Sequence, residues 1–163
     1  MYVKQKMNLR KNEKGQAMVE FALVVPIVLL LLLGIIEFGW LFNGQITMTS
    51  AAGVGARMAA LPDNSEKFLT IDKDEAIKQA IEDNVEGLSG FKYLTPDSGK
   101  YYSGKAALEG AGLTPSEASA AVVEDAGKGT VTVYIRGNFK PLIGLFVGPN
   151  KDLWGQSTMN KEL

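Results

Sequence analysis

The most prominent pattern in the chain is one long run of apolar residues near the N-terminus. It extends from Phe21 to Ile36 without a charge, and Glu20 and Glu37 stand at its two ends. With its uncharged flanking residues the run exceeds the roughly 20 residues that a helix needs to cross about 30 Å of hydrocarbon. The pattern therefore predicts a single membrane-spanning helix.

The charges on the two sides of this run are unequal. Basic residues dominate the segment before it, whereas residues 42–61 carry only Arg57. Positive residues stay on the cytoplasmic side, so we expect a single-pass protein of the cytoplasmic (inner) membrane, with its N-terminus in the cytoplasm and its C-terminal domain periplasmic or extracellular. The basic residues before the run are Lys4, Lys6, Arg10, Lys11 and Lys14.

Hydropathy alone leaves two other interpretations open, a cleaved secretory signal peptide and an ordinary signal anchor. Glu20 argues against both. An unpaired carboxylate in a spanning helix costs on the order of a few kcal/mol, so its presence calls for a partner or a role in processing.

The segment around Glu20 resembles a known precursor signal. Residues 14–21, Lys-Gly-Gln-Ala-Met-Val-Glu-Phe, are similar to the class III signal of type IV pilin-like precursors. The resemblance implies that prepilin peptidase cuts after Gly15, that Gln16 becomes the new N-terminus, and that Glu20 pairs with the N-terminal amine of a neighbouring subunit. Residues four apart share a helix face, which suits these roles.

A longer stretch narrows the resemblance. Residues 15–39, with Pro26 inside the run and Glu-Phe-Gly at its exit, resemble the N-terminus of the TadE-like family, minor pseudopilins of the tight-adherence (Flp-type) pilus. Residues 51–60 continue the likeness, which reappears at residues 131–134 and 140–142 and, weakly, at residues 157–162. The resemblance implies a minor pilin that works with other pilin-like subunits and an assembly platform and that enters the pilus.

After the run, the pattern predicts an exported α+β domain. The helix continues without Pro to Leu61, and Asp72 to Glu75 reads as a capping box that begins a second helix. Residues 91–112 read as a loop with short strands, and Thr114 to Glu117 as the start of a short helix. We therefore expect a cytoplasmic leader at 1–15, a transmembrane and extended helix at 16–61, and the exported domain at 62–163.

The clearest sheet signal is a hairpin. Residues 121–126 and 130–136 are rich in β-branched residues and flank Gly127-Lys128-Gly129. Val131, Val133 and Ile135 share one face of the second strand, which predicts an antiparallel sheet with one face packed on a helix. A last strand is predicted at 153–159.

The small residues at 53–60 have two interpretations. Gly and Ala there allow another backbone to approach closely, either in a neighbouring subunit or in the protein's own sheet. The sequence leaves this choice open.

Composition limits the chemistry. The chain has no Cys and no His, which removes disulfides, the usual zinc ligands and the common catalytic relays. The net charge of -1 argues against nucleic acid, despite tyrosines beside Lys92, Lys100 and Lys105. Paired carboxylates at 72/74, 82/83 and 124/125 are each explained by a cap, a helix face or a hairpin end. We expect no cofactor, no metal, no small-molecule substrate and no enzymatic activity.

Two competing functions belong to other classes. One is an uncleaved, membrane-tethered periplasmic binding or adhesion domain. The other is a hydrolase or metal-dependent enzyme in the exported domain, which the missing His and Cys disfavour.

Overall fold

The computed structural model describes the backbone of residues 13–88, 91–93 and 101–162, and the side chains of 15–88 and 101–162. Residues 1–12 of the predicted leader, residues 94–100 of the predicted loop, and the side chains of Lys14 and Lys92 lie outside these ranges.

The described chain has an α+β fold, as predicted. It divides into two compact units between Ile36 and Glu37. The elements are α1 (Glu13–Ala60), a 3-10 turn (Glu66–Phe68), α2 (Lys73–Val85), β1 (Phe91–Tyr93), β2 (Tyr101–Ser103), α3 (Lys105–Gly110), β3 (Ala120–Asp125), β4 (Thr130–Phe139) and β5 (Lys151–Asn160).

The sheet is built around β4. β5 pairs with it antiparallel along its whole length, so β3 and β1 lie one after the other along the opposite edge, also antiparallel. β2 then extends the sheet beyond β3 in a parallel pair. The antiparallel hairpin β3–β4 and the last strand are confirmed, but the parallel pair makes the sheet mixed, which the sequence pattern did not predict.

The main core lies on one face of the sheet. The second half of α1 and the apolar stripe of α2 pack there against alternate residues of β4. Val131, Val133 and Ile135 are buried, as their alternation predicted, while the residues between them are half-buried. The remaining members of the cluster are Met48, Ala51, Ala52, Ala56, Ala59, Ala60, Ile77, Ile81, Val85, Leu88, Val122, Phe139 and Leu153.

A smaller apolar cluster lies on the other face. Leu108 of α3 packs there with Tyr102, Ala118 and Ala121. Neighbouring residues of β3 therefore enter different clusters, since Ala121 belongs to this one and Val122 to the main core. α1 and α2 thus cover one face of the sheet, while on the other face α3 covers only the part formed by β2 and β3.

Two local predictions have different outcomes. The Asp72 half of the predicted capping box is confirmed, because its side chain accepts a 2.9 Å hydrogen bond from the Asp74 amide, whereas the Glu75 carboxylate pairs with Lys78 at 3.6 Å. The short helix predicted after Thr114 is wrong. Glu117 does reach back to the Thr114 amide at 2.9 Å, but the segment forms only a turn, because β3 begins at Ala120 and leaves no room for a helix.

Candidate functional site

The predicted processing and assembly residues lie on the first turns of α1. The Gln16 side chain donates a 3.1 Å hydrogen bond through Nε2 to Oε1 of Glu20, and both side chains are exposed. Gly15, immediately before them, is half-buried. The structure therefore brings the predicted new N-terminal residue and the predicted acidic partner together on one face, one helical turn apart. The Glu20 carboxylate remains accessible from outside the chain.

The apolar run that follows is helical and solvent-facing in the isolated chain. Phe21 and Ile36 are exposed, and none of the most apolar 18-residue window is buried. A core helix of a soluble protein would bury one face of such a segment. The N-terminal helix is long and apolar enough to cross a membrane.

Pro26 lies inside this helix. Proline has no amide hydrogen, so it removes one hydrogen bond from the helical ladder. Spanning helices tolerate this better than soluble ones do, because neighbouring groups adjust to satisfy the freed carbonyl.

Glu37, predicted only as the polar end of the run, has a second role in the structure. Its side chain is 0% exposed, and Oε2 accepts a 3.1 Å hydrogen bond from the backbone amide of Phe146. Among the described residues, Oε1 has no hydrogen-bond partner. The carboxylate therefore ties the exit of the apolar run to the loop between β4 and β5.

The aromatic residues at this exit divide into two kinds. Phe38 and Phe42 are exposed, as expected of residues that meet lipid headgroups. Trp40 instead packs against the main core, with its ring centroid 6.2 Å from that of Phe139. Only part of this aromatic group is free to face lipid.

The small residues of α1 serve the protein's own core. Ala56, Ala59 and Ala60 are buried there. A Cβ atom built on Gly55 would lie 2.8 Å from Cγ1 of Ile81 and 3.3 Å from Cγ1 of Val133, so α2 and β4 both approach the backbone of α1 closely. Of the two interpretations of this run, the one in which it seats the domain's own sheet is the one these contacts support.

A polar cavity beside α2 is a candidate for other chemistry. It has a volume of about 620 Å³, and its charged lining residues are Asp63, Asp72, Lys73, Asp74, Lys105 and Glu124. The carboxylates are engaged: Asp63 pairs with Lys73 at 2.7 Å, Glu124 pairs with Lys161 at 2.8 Å, and Asp74 accepts from Ser103 Oγ at 2.9 Å. Within the described ranges no cluster of three or more acidic residues could hold a metal ion.

Tyr101 donates a hydrogen bond to Asp74, which lines this cavity, and the pKa of its hydroxyl is shifted. Burial raises the pKa of the Tyr101 hydroxyl well above its usual range, and the nearby Asp74 carboxylate adds to the effect. Tyr101 donates to Asp74 at 3.4 Å. The phenol therefore stays neutral and acts as a structural donor between β2 and α2.

Comparison with known proteins gives one match. Residues 15–57 match the model of the family described as TadE-like protein. A search of curated proteins and a search of solved structures found no match. The matched segment contains Gly15, Gln16, Glu20, Pro26 and Glu37, and it ends at Arg57 in the small-residue run. Over residues 15–57 the chain is therefore similar to TadE-like proteins, and the resemblance predicted from the sequence is confirmed for that segment.

Proposed function

We propose that this chain is a minor pilin or pseudopilin-like structural subunit of a tight-adherence pilus assembly machine in the cytoplasmic membrane. The match to the TadE-like family supports association with that pilus. The observation that carries the finer proposal is the Gln16–Glu20 pair, which lies at the start of an exposed apolar helix immediately after Gly15.

The proposed mechanism starts with processing. Prepilin peptidase cuts after Gly15 and frees an amine on Gln16. This positive group then lies on the same face of the helix as the Glu20 carboxylate, one turn before it. A carboxylate near hydrocarbon is strongly stabilised by a positive partner, so Glu20 of one subunit favours the amine of its neighbour over lipid. Pairing of this kind would align adjacent helices in the membrane before assembly.

The exported domain has a contact role in this proposal, and no catalytic one. The whole chain lacks His and Cys, and the carboxylates of the polar cavity are taken up by ion pairs and hydrogen bonds. The sheet instead offers surface for neighbouring subunits and the assembly platform. An uncleaved tethered binding domain is the alternative that the experiment below separates from this proposal.

The decisive experiment measures the N-terminus of the membrane form. The full chain is expressed with prepilin peptidase present or absent, and the intact mass is recorded. Loss of residues 1–15 only when the peptidase is present supports the proposal. In Gly15→Val the chain should keep its leader, because a branched side chain replaces the residue at the cut.

The matched control is Gly39→Ala, since a Cβ there meets nothing within 4 Å. This variant should be processed like the natural chain. If the natural chain keeps Met1 while a known prepilin in the same cells is cut, the proposal fails and the tethered domain stands.

A further inference from the structure

The loop between β4 and β5 exposes apolar side chains. Residues 142–147, here called the apolar loop, read Leu-Ile-Gly-Leu-Phe-Val. Leu142 is 58% exposed and Leu145 61% exposed, and Ile143 and Phe146 are each more than two-fifths exposed. Isolated exposed apolar residues are ordinary, but four within five positions form a contiguous patch that calls for a covering surface.

This loop has a defined conformation. Gly144 and Gly148 both have positive φ, at 73° and 83°, which side chains other than glycine rarely adopt. A Cβ on Gly144 would lie 3.3 Å from the carbonyl oxygen of Gly148, so the two ends of the turn close on each other. Pro141 at its base is buried. The fold therefore holds the apolar side chains outward.

The hydrogen bond from the Phe146 amide to Glu37 joins the apolar loop to α1. Glu37 is the first charged residue after the apolar run, so it marks the level where the helix leaves hydrocarbon. Phe38 and Phe42, exposed on the next turns, are residues that favour the headgroup region. The apolar loop therefore contacts α1 at the residue that directly follows the apolar run.

Basic residues flank the apolar loop. Lys140 and Lys151 stand at its two ends, where β4 stops and β5 begins, and both are exposed. Lysine extends an apolar stem and places its ammonium group among headgroup phosphates. An apolar tip between two lysines matches the chemistry of a bilayer interface, apolar inside and anionic at the surface.

We propose that the apolar loop is a second membrane contact. Its side chains insert into the interfacial region of the exported-side leaflet, roughly 5–10 Å deep, while the lysines remain at headgroup level. The partner is the lipid of the same bilayer that α1 crosses. The domain is thereby seated on the membrane surface at two points, the helix and the loop. This inference depends on the spanning helix of the proposed function, and the test separates the two.

The test uses the absence of natural cysteine. Single variants Leu145→Cys, Lys128→Cys and Leu30→Cys of the full chain are labelled with a small environment-sensitive dye and reconstituted at one chain per lipid nanodisc. Quenching by nitroxide carried on lipid tails is compared with quenching by iodide in water. Leu30 reports the span, and Lys128 reports an exposed turn at the opposite end of β4.

The expected result is that lipid nitroxide quenches the Leu145 label several-fold more than the Lys128 label, with iodide showing the reverse order. Removing anionic lipid should weaken this difference, because the lysines lose their partners. If the Leu30 label is quenched by lipid and the Leu145 label behaves like that at Lys128, the loop inference is overturned while the spanning helix stands.

Two other outcomes also overturn the inference. A Leu145 label shielded from both quenchers would mean that the loop is covered by protein. Absence of lipid quenching at Leu30 would remove the spanning helix itself, and the proposed function would fall with the loop.

Discussion

The backbone amide of Phe146 donates a 3.1 Å hydrogen bond to the fully buried carboxylate of Glu37, across 109 positions of sequence. A buried carboxylate is costly unless it is hydrogen-bonded, so this contact does more than close a loop. It fixes the β4–β5 connection to α1 at the residue that directly follows the apolar run.

Replacing Glu37 with Ala should destabilise the exported domain by about 1–3 kcal/mol, because the Phe146 amide loses its acceptor and a void remains. Glu37→Gln keeps a carbonyl oxygen as an acceptor and should lose less. Denaturant unfolding of the full chain in nanodiscs, followed by tryptophan fluorescence, measures both. Glu66→Ala, at an exposed carboxyl, is the control. Equal stability of Glu37→Ala and this control would contradict the role given to Glu37.

Gly155→Ala should be among the most damaging small changes in the domain. A Cβ at Gly155 would collide with the carbonyl group of Met48, a backbone contact that cannot rotate away. We expect a loss of at least about 2 kcal/mol, since overpacking against backbone forces α1 and β5 apart. At Gly87 a Cβ meets nothing within 4 Å, so Gly87→Ala should be close to neutral in the same unfolding assay.

The two glycines of the small-residue run should respond oppositely. Gly55→Ala places a methyl group against the buried Ile81 and should cost about 1–3 kcal/mol. At Gly53 the nearest atom is Ser157 Oγ at 4.0 Å, so Gly53→Ala should gain about 0.5–1 kcal/mol from helix propensity. Thermal unfolding of the pair is the measurement. If both variants unfold like the natural chain, Gly55 does not seat the sheet.

Acid should remove one surface contact. The hydrogen bond and charge of Lys73 hold the pKa of Asp63 below its usual value near 3.8. A lowered folded pKa gives stability that is present above the ordinary pKa and lost as pH falls through the folded one. The natural chain should therefore be slightly more stable than Asp63→Asn at neutral pH, and the gap should close below about pH 4.

The control for this pH effect is Lys73→Met. In that background the Asp63→Asn change should leave the dependence of unfolding on pH unaltered, because the charge that lowers the Asp63 pKa is gone. A pH-independent gap in the natural background would show that the ion pair does not contribute.

Glu20→Ala should leave membrane insertion and cleavage intact but weaken pilus assembly, because the apolar run survives while the amine of the neighbouring subunit loses its acceptor. Fractionation, intact mass and the amount of assembled pilus measure the three steps. Glu86→Ala removes an exposed carboxyl from the domain and should assemble normally. Normal assembly of the Glu20 variant would refute the pairing role.

Local signals predicted the parts of the fold that depend on neighbours in sequence. Asp72 begins α2 because its side chain and the first-turn amides are two residues apart. The β3–β4 hairpin follows from β-branched runs around a glycine-bounded turn. In the candidate site, Gly15, Gln16 and Glu20 remain a prediction from the resemblance of residues 14–21 to a pilin-like signal, and all three lie within the first turns of α1.

The features that the sequence did not predict depend on distant partners. Short strands were expected within residues 91–112, but the parallel pairing of β2 with β3 was not, because three residues are too few to carry an alternation. The six-residue α3 is stabilised by the burial of Leu108 against Tyr102 and Ala121. The burial of Glu37 depends on a loop near the other end of the chain, so no local pattern could show it.

Hydrogen bonds join α1 to β5 and to the residues that follow it. Gln45 of α1 donates a 2.7 Å hydrogen bond to the carbonyl oxygen of Trp154 in β5, and the amide of Glu162 donates to the carbonyl oxygen of Ala60 at 2.9 Å. Contacts of such long sequence separation form late in folding. In the proposed topology, α1 enters the membrane before the sheet is complete, and the domain closes only after β5 has crossed. A premature stop before β5 would thus leave an anchored chain with an open core, a ready target for quality-control proteases.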